Sequence, residues 1–292
     1  MKIGFIGLGK MGKGLVLHMQ EKGIEVLAWN RSPNEVATEK SIPEMIAKME
    51  SGKRIVWLMV PAGDAVDQML SQITPLLAKG DLVIDGGNSN YKDDLRRGAE
   101  LEKLGISYMD VGVSGGPKGA REGACLMIGG DKARFEELMN VWQAVSAPDS
   151  YEYFGRIGAG HFAKMVHNGI EYGMMQAIAE GAAVLEASDY NFDLSQVFRL
   201  YNHNSVIVSR LVGWTQEALA EDPKLEKISS KIDHTGEGEW TVNAAEELQI
   251  EVPIIKESLE VRKRSTAESD NFRDKTVSAM RGKFGGHLVK KS

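Results

Sequence analysis

Five polar residues in GHFAKMVHNGIEY, residues 160–172, have the types and the spacing to do chemistry together. Lys164, His167, Asn168, Glu171 and Tyr172 fall at i, i+3, i+4, i+7 and i+8, the positions a helix stacks on one face. Phe162, Met165, Val166 and Ile170 fall opposite. A surface ion pair would account for Lys164 and Glu171 alone. His167, Asn168 and Tyr172 are short or rigid, a poor choice for a solubilising face. Dehydrogenating an alcohol needs a base for the hydroxyl proton as hydride leaves. Lys164 can be that base if burial or a cationic neighbour lowers its pKa towards neutrality. Asn168 can bond the same hydroxyl or a carboxylate, and Glu171 can deliver a proton elsewhere. A base and an acid about two turns apart suit a substrate with two reacting carbons.

Hydride needs an acceptor, and GLGKMG supplies its place. Gly7, Gly9 and Gly12 have G-x-G-x-x-G spacing directly after an apolar run and at the opening of a helical pattern. Gly7 permits a tight turn, Gly9 lets backbone approach a pyrophosphate, and Gly12 lets the helix pack close to the strand. The loop around the phosphates is therefore Gly7, Leu8, Gly9, Lys10, Met11 and Gly12. The second strand ends in Asn30, Arg31 and Ser32, where an NAD site has a carboxylate on the ribose. Arg31 can grip a 2′-phosphate that a carboxylate would repel, so NADP is favoured over NAD, although Arg31 tolerates either. Val60 and Pro61 in MVPAG, and Asn88 in IDGGNSN, follow the third and fourth strands, where open α/β sheets hold ligands. Asn88 can face cofactor or substrate. Ser114, Gly115 and Gly116 in VSGGPKGAREG can form a small nest for a carboxylate, or an ordinary turn.

These groups need a scaffold, and the pattern of the chain gives one. Strands at 2–7, 24–30, 54–60, 81–87, 106–113 and 124–130 alternate with helical segments near 11–22, 35–50, 64–78 and 91–104. That alternation implies a parallel sheet covered on both faces, an α/β Rossmann-type domain. After Gly160 no strand pattern is convincing, and helical patterns run over 160–188, 193–201, 205–221, 238–248 and 252–268. The last twenty or so residues are polar and rich in Lys, Arg and Gly. The expected architecture is an NADP-binding domain over 1–159 and an all-helical domain over 160–292. The net charge of −6 argues against a general nucleic-acid partner. A single cysteine excludes an internal disulfide and fits the cytoplasm. Neither a signal peptide nor a membrane span is expected, and no cluster has metal-ligand spacing.

At this depth the chain resembles the decarboxylating 6-phosphogluconate dehydrogenases, in their shorter bacterial form, within the β-hydroxyacid dehydrogenase family. The match is carried by GFIGLGKMGKGL, NRS, IDGGNS, VSGGPKGAREG, GAGHFAKMVHNGIEYGMMQ, GEGEWT and RGKFGGH, between residues 4 and 287. The resemblance implies oxidation of 6-phosphogluconate at C3 with NADP, loss of CO2, and formation of ribulose 5-phosphate, without a metal. Lys164 would be the base, and Glu171 the acid that protonates C1 of the enediol. Asn88, Ser114, Gly115, Gly116, His167 and Asn168 would hold the sugar acid, with Tyr172 and Arg264 on its phosphate. Arg281 and His287 would come from a neighbouring subunit's tail, making the active unit at least a homodimer. Longer members carry a phosphate-binding Lys where this chain has Thr235, and Lys231 is the substitute at hand. The rival reading is a 3-hydroxyisobutyrate-type β-hydroxyacid dehydrogenase. It shares the glycine start, the SGG loop and the lysine, but needs neither Glu171 with Tyr172 nor a basic tail.

Overall fold

A computed structural model describes residues 2–233 and 236–285 of the chain. They fall into two compact units, Met1–Lys164 and Met165–Ser292.

The first unit is an α/β sandwich. Its elements in order are β1 (Lys2–Ile6), α1 (Lys10–Glu21), β2 (Glu25–Trp29), α2 (Ile42–Ala47), β3 (Ile55–Leu58), α3 (Asp64–Ile73), β4 (Leu82–Asp85) and α4 (Tyr91–Glu102). Then come β5 (Ser107–Ser114), α5 (Gly116–Glu122), β6 (Ala124–Gly129), α6 (Lys132–Glu137), α7 (Met139–Val145), β7 (Ser146–Gly155) and the first turns of α8 (Ala159–Glu186). The strands form one sheet in the order β2-β1-β3-β4-β5-β6-β7. Alternate residues feed two cores. Ile55 and Trp57 join Phe5, Leu15 and Trp142 on one face, while Val56 and Leu58 join Ile6, Met45 and Val83 on the other. Near-continuous apolar strands buried on both faces are what a parallel sheet requires.

Three departures from the sequence expectation have physical causes. The sheet is parallel from β2 to β5, but β6 runs antiparallel to β5 and β7 parallel to β6. The link from β5 to β6 holds only the seven-residue α5, too little chain for a parallel crossover. The strand β7 itself was not expected, because SAPDSYEYFG is polar and contains Pro148; an edge strand tolerates both. Of the helix expected over 35–50, only α2 forms. Thr38 and Glu39 instead give their N–H groups to Ala28 O, and the Thr38 hydroxyl accepts from Ala28 N, so this segment follows β2.

The second unit is helical throughout its described residues: the rest of α8, then α9 (Leu194–Tyr201), α10 (Arg210–Glu221), α11 (Glu237–Glu247), α12 (Pro253–Arg264) and α13 (Phe272–Gly285). Asp193 and Ser209 cap α9 and α10 through their side chains. Phe198, Val212, Leu219 and Ala279 share one core cluster, and Met175, Leu211, Val277 and Met280 another. The helix α13 corrects the reading of residues up to 285 as a polar tail. Its start is fixed by the Asn271 side chain, which accepts from Asp274 N and donates to Asp274 Oδ2, and Thr276 to Arg281 are all buried. Small hydroxyl residues allow this burial by bonding locally, as Thr276 does to Phe272 O. No described helix is long and apolar enough to cross a membrane.

Candidate functional site

The order β2-β1-β3 places a switch point between β1 and β3, where open sheets of this kind bind ligands. The loops after these two strands touch. A side chain at Gly7, whose φ is +104°, would run into Met59 O and Val60. One at Gly12 would run into Gly7 O and Phe5, whereas Gly9 has nothing within 4 Å and leaves its approach open. The helix α1 begins there with Gly9 as its N-cap and no capping side chain. A turn sealed at Gly7 and Gly12 but open at Gly9 fits a pyrophosphate at a helix N-terminus.

Asn30, expected at the cofactor, also braces the turn. Its Oδ1 accepts from Leu8 N at 2.8 Å and its amide donates to Ser32 O. Asn34 completes the grip by donating to Leu8 O at 3.0 Å. Both polar groups of Leu8 are thus held by side chains, which fixes the glycine turn. Arg31 and Ser32 project between the two asparagines and are exposed. Lys10 and Pro61 are exposed and Met11 and Val60 half-buried around the turn.

Asp85 ends β4 and holds the next loop, accepting from Gly87 N at 2.9 Å and from the Ser89 hydroxyl at 2.7 Å. Asn88 lies between these two anchors and is half-buried. Ser114 ends β5, and Gly115 and Gly116 follow with φ of +118° and +65°, a sharp turn that only glycine adopts readily.

Lys164 lies in the first unit's part of α8. Its side chain runs over Gly112 of β5, where an added Cβ would overlap it, and the residue is only 8% exposed. Gly160, one turn earlier, packs against the backbones of Asp110, Met127 and Gly129. Asn168 and Tyr172 on the same face are buried too, whereas Ile170 and Met174 are exposed. His167 and Glu171 are half-buried, and Met165 and Met175 are buried as well, so apolar and polar residues are both covered along this helix.

In the second unit, His167 Nδ1 lies 3.0 Å from Asn168 Oδ1 and 3.9 Å from Glu171 Oε2. Tyr172 packs under Gly238 of α11, and the guanidinium of Arg262 sits 3.3 Å from its ring centroid. Burial lowers the Arg262 pKa to about 10, against the pull of Tyr172, and raises that of the Tyr172 hydroxyl. The expectation placed Arg264 here, and the structure corrects it. Arg264 is half-exposed and bonds Glu257 at 2.6 Å, with Glu268 at 3.6 Å. The two arginines are two residues apart on α12, so they cannot share a face. Arg281 on α13 is buried in its own chain, close enough for its charge to act on Tyr172 and Arg262. Glu237, buried at the start of α11, acts on the same pair. Lys231 is exposed, its backbone held by the Ser278 hydroxyl. Thr235 and His287 lie outside the described residues.

Comparison with known proteins covers both units. The family model described as the NAD binding domain of 6-phosphogluconate dehydrogenase matches residues 2–158, and that of the 6-phosphogluconate dehydrogenase C-terminal domain matches 160–290. The chain is 44% identical to a putative 6-phosphogluconate dehydrogenase, YqeC, of Bacillus subtilis, across 100% of both chains. It is 39% identical to the NAD(+)-dependent decarboxylating 6-phosphogluconate dehydrogenase of Haloferax volcanii, over 99% of this chain and 98% of that one. Among solved structures, Plasmodium falciparum 6-phosphogluconate dehydrogenase, studied with NADP+ and with its substrate, superposes with a TM-score of 0.82 at 29% identity. That match covers 96% of this chain and 70% of the other. Mycobacterium tuberculosis 3-hydroxyisobutyrate dehydrogenase gives 0.72 at 21% identity over 96% and 99%, which is a likeness of fold.

Proposed function

Since the chain belongs to the 6-phosphogluconate dehydrogenase family, we propose that it converts 6-phosphogluconate to ribulose 5-phosphate and CO2, with NADP as the preferred oxidant. The observation that carries this reading is the polar stripe of α8, with Lys164 and Asn168 buried and Glu171 half-buried on one uninterrupted helix. NADP, when bound, accepts hydride from C3. Lys164 takes the proton of the 3-hydroxyl, and its ammonium then donates to the ketone oxygen while the C1–C2 bond breaks and the carboxylate leaves as CO2. Glu171 donates the proton that C1 of the resulting enediol needs. A β-keto acid loses CO2 once its carbonyl is polarised, so this route asks for no metal.

Asn88, Ser114, Gly115, Gly116, His167 and Asn168 hold the sugar acid in this reading. Tyr172, Arg262 and Arg281 take the phosphate, since two buried guanidinium groups beside a phenol are suited to a dianion. Arg31 favours NADP: it is exposed, and no described hydrogen bond or ion pair engages its guanidinium. Residues 1–159 serve the cofactor, and residues 160–292 serve the substrate and a homodimer. Exposed Ile170, Met174 and Ile254 support a partner surface. With Arg281 buried in its own chain, completion of the neighbour's site falls to the segment carrying His287. The net charge of −6 argues against a nucleic-acid partner, and a cytoplasmic location is part of the same reading.

The test mixes protein and 6-phosphogluconate with NADP or with NAD, following reduced nicotinamide and CO2 together. Equal yields of the two products are expected, with the faster rate on NADP. Reduction without CO2, or only with an unphosphorylated 3-hydroxy acid, would move the protein to the 3-hydroxyisobutyrate type and retire the role of Glu171.

A further inference from the structure

Beneath the carboxyl ends of β4 and β5 lies a closed knot of charge. Asp85, Asp94, Arg97, Tyr108, Asp110 and His161 are each at most 2% exposed. None of them has a part in the reaction as proposed. Burying so many ionisable groups is costly unless each is paired, so the arrangement asks for a reason.

The bonds within the knot lead outward to the loops after β3 and β4 and to the first turn of α8. Asp110 accepts from Gly158 N at 2.7 Å and from His161 N at 2.8 Å, which satisfies amides that the first turn of α8 cannot bond itself. His161 Nδ1 meets Asp94 Oδ2 at 2.7 Å. The Tyr108 hydroxyl lies 2.9 Å from Asp94 and 3.2 Å from Asp85, and Asp85 in turn holds the loop of Asn88. Arg97 approaches Asp85 to 3.6 Å and donates to Gly63 O in the loop after β3. Lys164 follows His161 by three residues, one turn along the same helix.

Two positive groups balance the carboxylates. Burial alone would lower the His161 pKa, but Asp94 first, then Asp85 and Asp110, more than reverse this and raise it to about 10. Burial raises the Asp110 carboxyl to about 6, against the opposing pull of His161. Ligand atoms of Asp85, Asp94 and His161 converge within 4.8 Å of one another, as the ligands of a metal would. Arg97 and the imidazolium supply positive charge at that point, while Arg97 Nη1 and His161 Nε2 are buried without a hydrogen-bond partner among the described residues.

We propose that Asp94, Asp110 and His161 form the positioning device for Lys164, fixing the first turn of α8 to the strand ends so that the amine keeps one register with Asn88. This rests on Lys164 being the base. A twist or slide of that turn breaks three short bonds at once: two to Asp110 and one to Asp94.

The test compares His161→Leu, which removes the nitrogen facing Asp94, with His161→Asn, whose amide nitrogen falls near the place of Nδ1. The expected result is a roughly 100-fold loss of kcat in His161→Leu, the size of effect a displacement near 1 Å produces. His161→Asn should return to within about five-fold of wild type, the scale of one altered hydrogen bond. The NADP dissociation constant should be the same in all three proteins. A second readout needs no substrate: the rate at which an amine-selective reagent labels Lys164, followed by peptide mass spectrometry. It should change in His161→Leu and not in His161→Asn. A folded His161→Leu enzyme with wild-type kcat and wild-type labelling overturns the proposal, as does an equal loss in both variants. If the wild type does not act on 6-phosphogluconate while labelling still follows residue 161, the reaction assignment fails and the positioning role stands. Should His161→Leu not fold, Tyr108→Phe removes the hydroxyl that joins Asp85 to Asp94. It should slow kcat about five-fold and shift the labelling, and unchanged values of both would refute the device.

Discussion

Gly112 offers the sharpest way to ask whether the seat of Lys164 matters. Its replacement by alanine adds one methyl group to β5. The new Cβ would stand 3.0 Å from Lys164 Cγ and 3.2 Å from Gly160 O, and nearer still to Lys164 Cβ. Carbon atoms in contact prefer about 3.5–4.0 Å, so the lysine must retreat by roughly 1 Å. The φ of Gly112 is not positive, so the backbone accepts alanine and the effect is one of contact alone. Overpacking of this kind costs about 1–3 kcal/mol, which leaves a domain of this size folded. A base displaced by about 1 Å loses on the order of 100-fold in rate. Steady-state kinetics on 6-phosphogluconate, cofactor binding by nicotinamide fluorescence and a thermal melt would separate these effects. A large fall in kcat with intact NADP affinity and a modest drop in Tm is expected. A melting curve like the wild type's together with undiminished kcat would show that Lys164 is not where the chemistry depends on it.

Other outcomes follow from charges at named positions. Arg31→Asp should reduce kcat/KM for NADP by more than about ten-fold, by losing a charge-assisted bond and repelling the 2′-phosphate, while NAD is less affected; equal effects on the two cofactors would remove Arg31 from the ribose. Arg262→Met should raise KM for the phosphorylated substrate by roughly 10–100-fold, the worth of one hydrogen bond to a charged group. Arg264→Met, which breaks only an exposed pair, should change KM by less than about two-fold; a reversed order would restore Arg264 to the phosphate. The native His161 holds its proton up to about pH 10, whereas the unfolded chain releases it near 6.5. Its contribution is thus complete below pH 6.5 and is lost as pH rises through 10, with a slope of at most about 1.4 kcal/mol per unit. Denaturant melts between pH 7 and 9 should show stability falling in the wild type and a flatter line in His161→Asn; parallel lines would mean that His161 is neutral.

The parts of this molecule legible in its sequence are those where one local rule decides. Gly7 and Gly12 could be read because a tight turn and a close helix each exclude a side chain. The α8 stripe could be read because polar groups at helical spacing depart from the usual outward rule; Lys164, Asn168 and Tyr172 are buried, and His167 and Glu171 half-buried. What escaped was decided by partners distant in the chain. Arg262 and Arg264 look alike in VRKRS, and only the packing of α12 turns the first onto Tyr172 and the second towards Glu257. The seven residues of α13 from Phe272 to Ser278 hold few large apolar groups, and their burial depends on hydroxyls that bond backbone. The knot around His161 gathers residues from β4, α4, β5 and α8, each ordinary in its own segment.

The paired asparagines on Leu8 bear on how such a protein can change over generations. Asn30 and Asn34 hold the glycine turn from either side of Arg31 and Ser32, and only the Ser32 backbone carbonyl, which accepts from Asn30, takes part. Selection can therefore exchange the two exposed residues without loosening the turn. A lineage moving from one electron carrier to the other need not pass through a form that has lost both. With Arg31 and Ser32 reading the ribose as proposed, preference for the carrier would be a detachable trait, while the asparagines keep the shape of the turn.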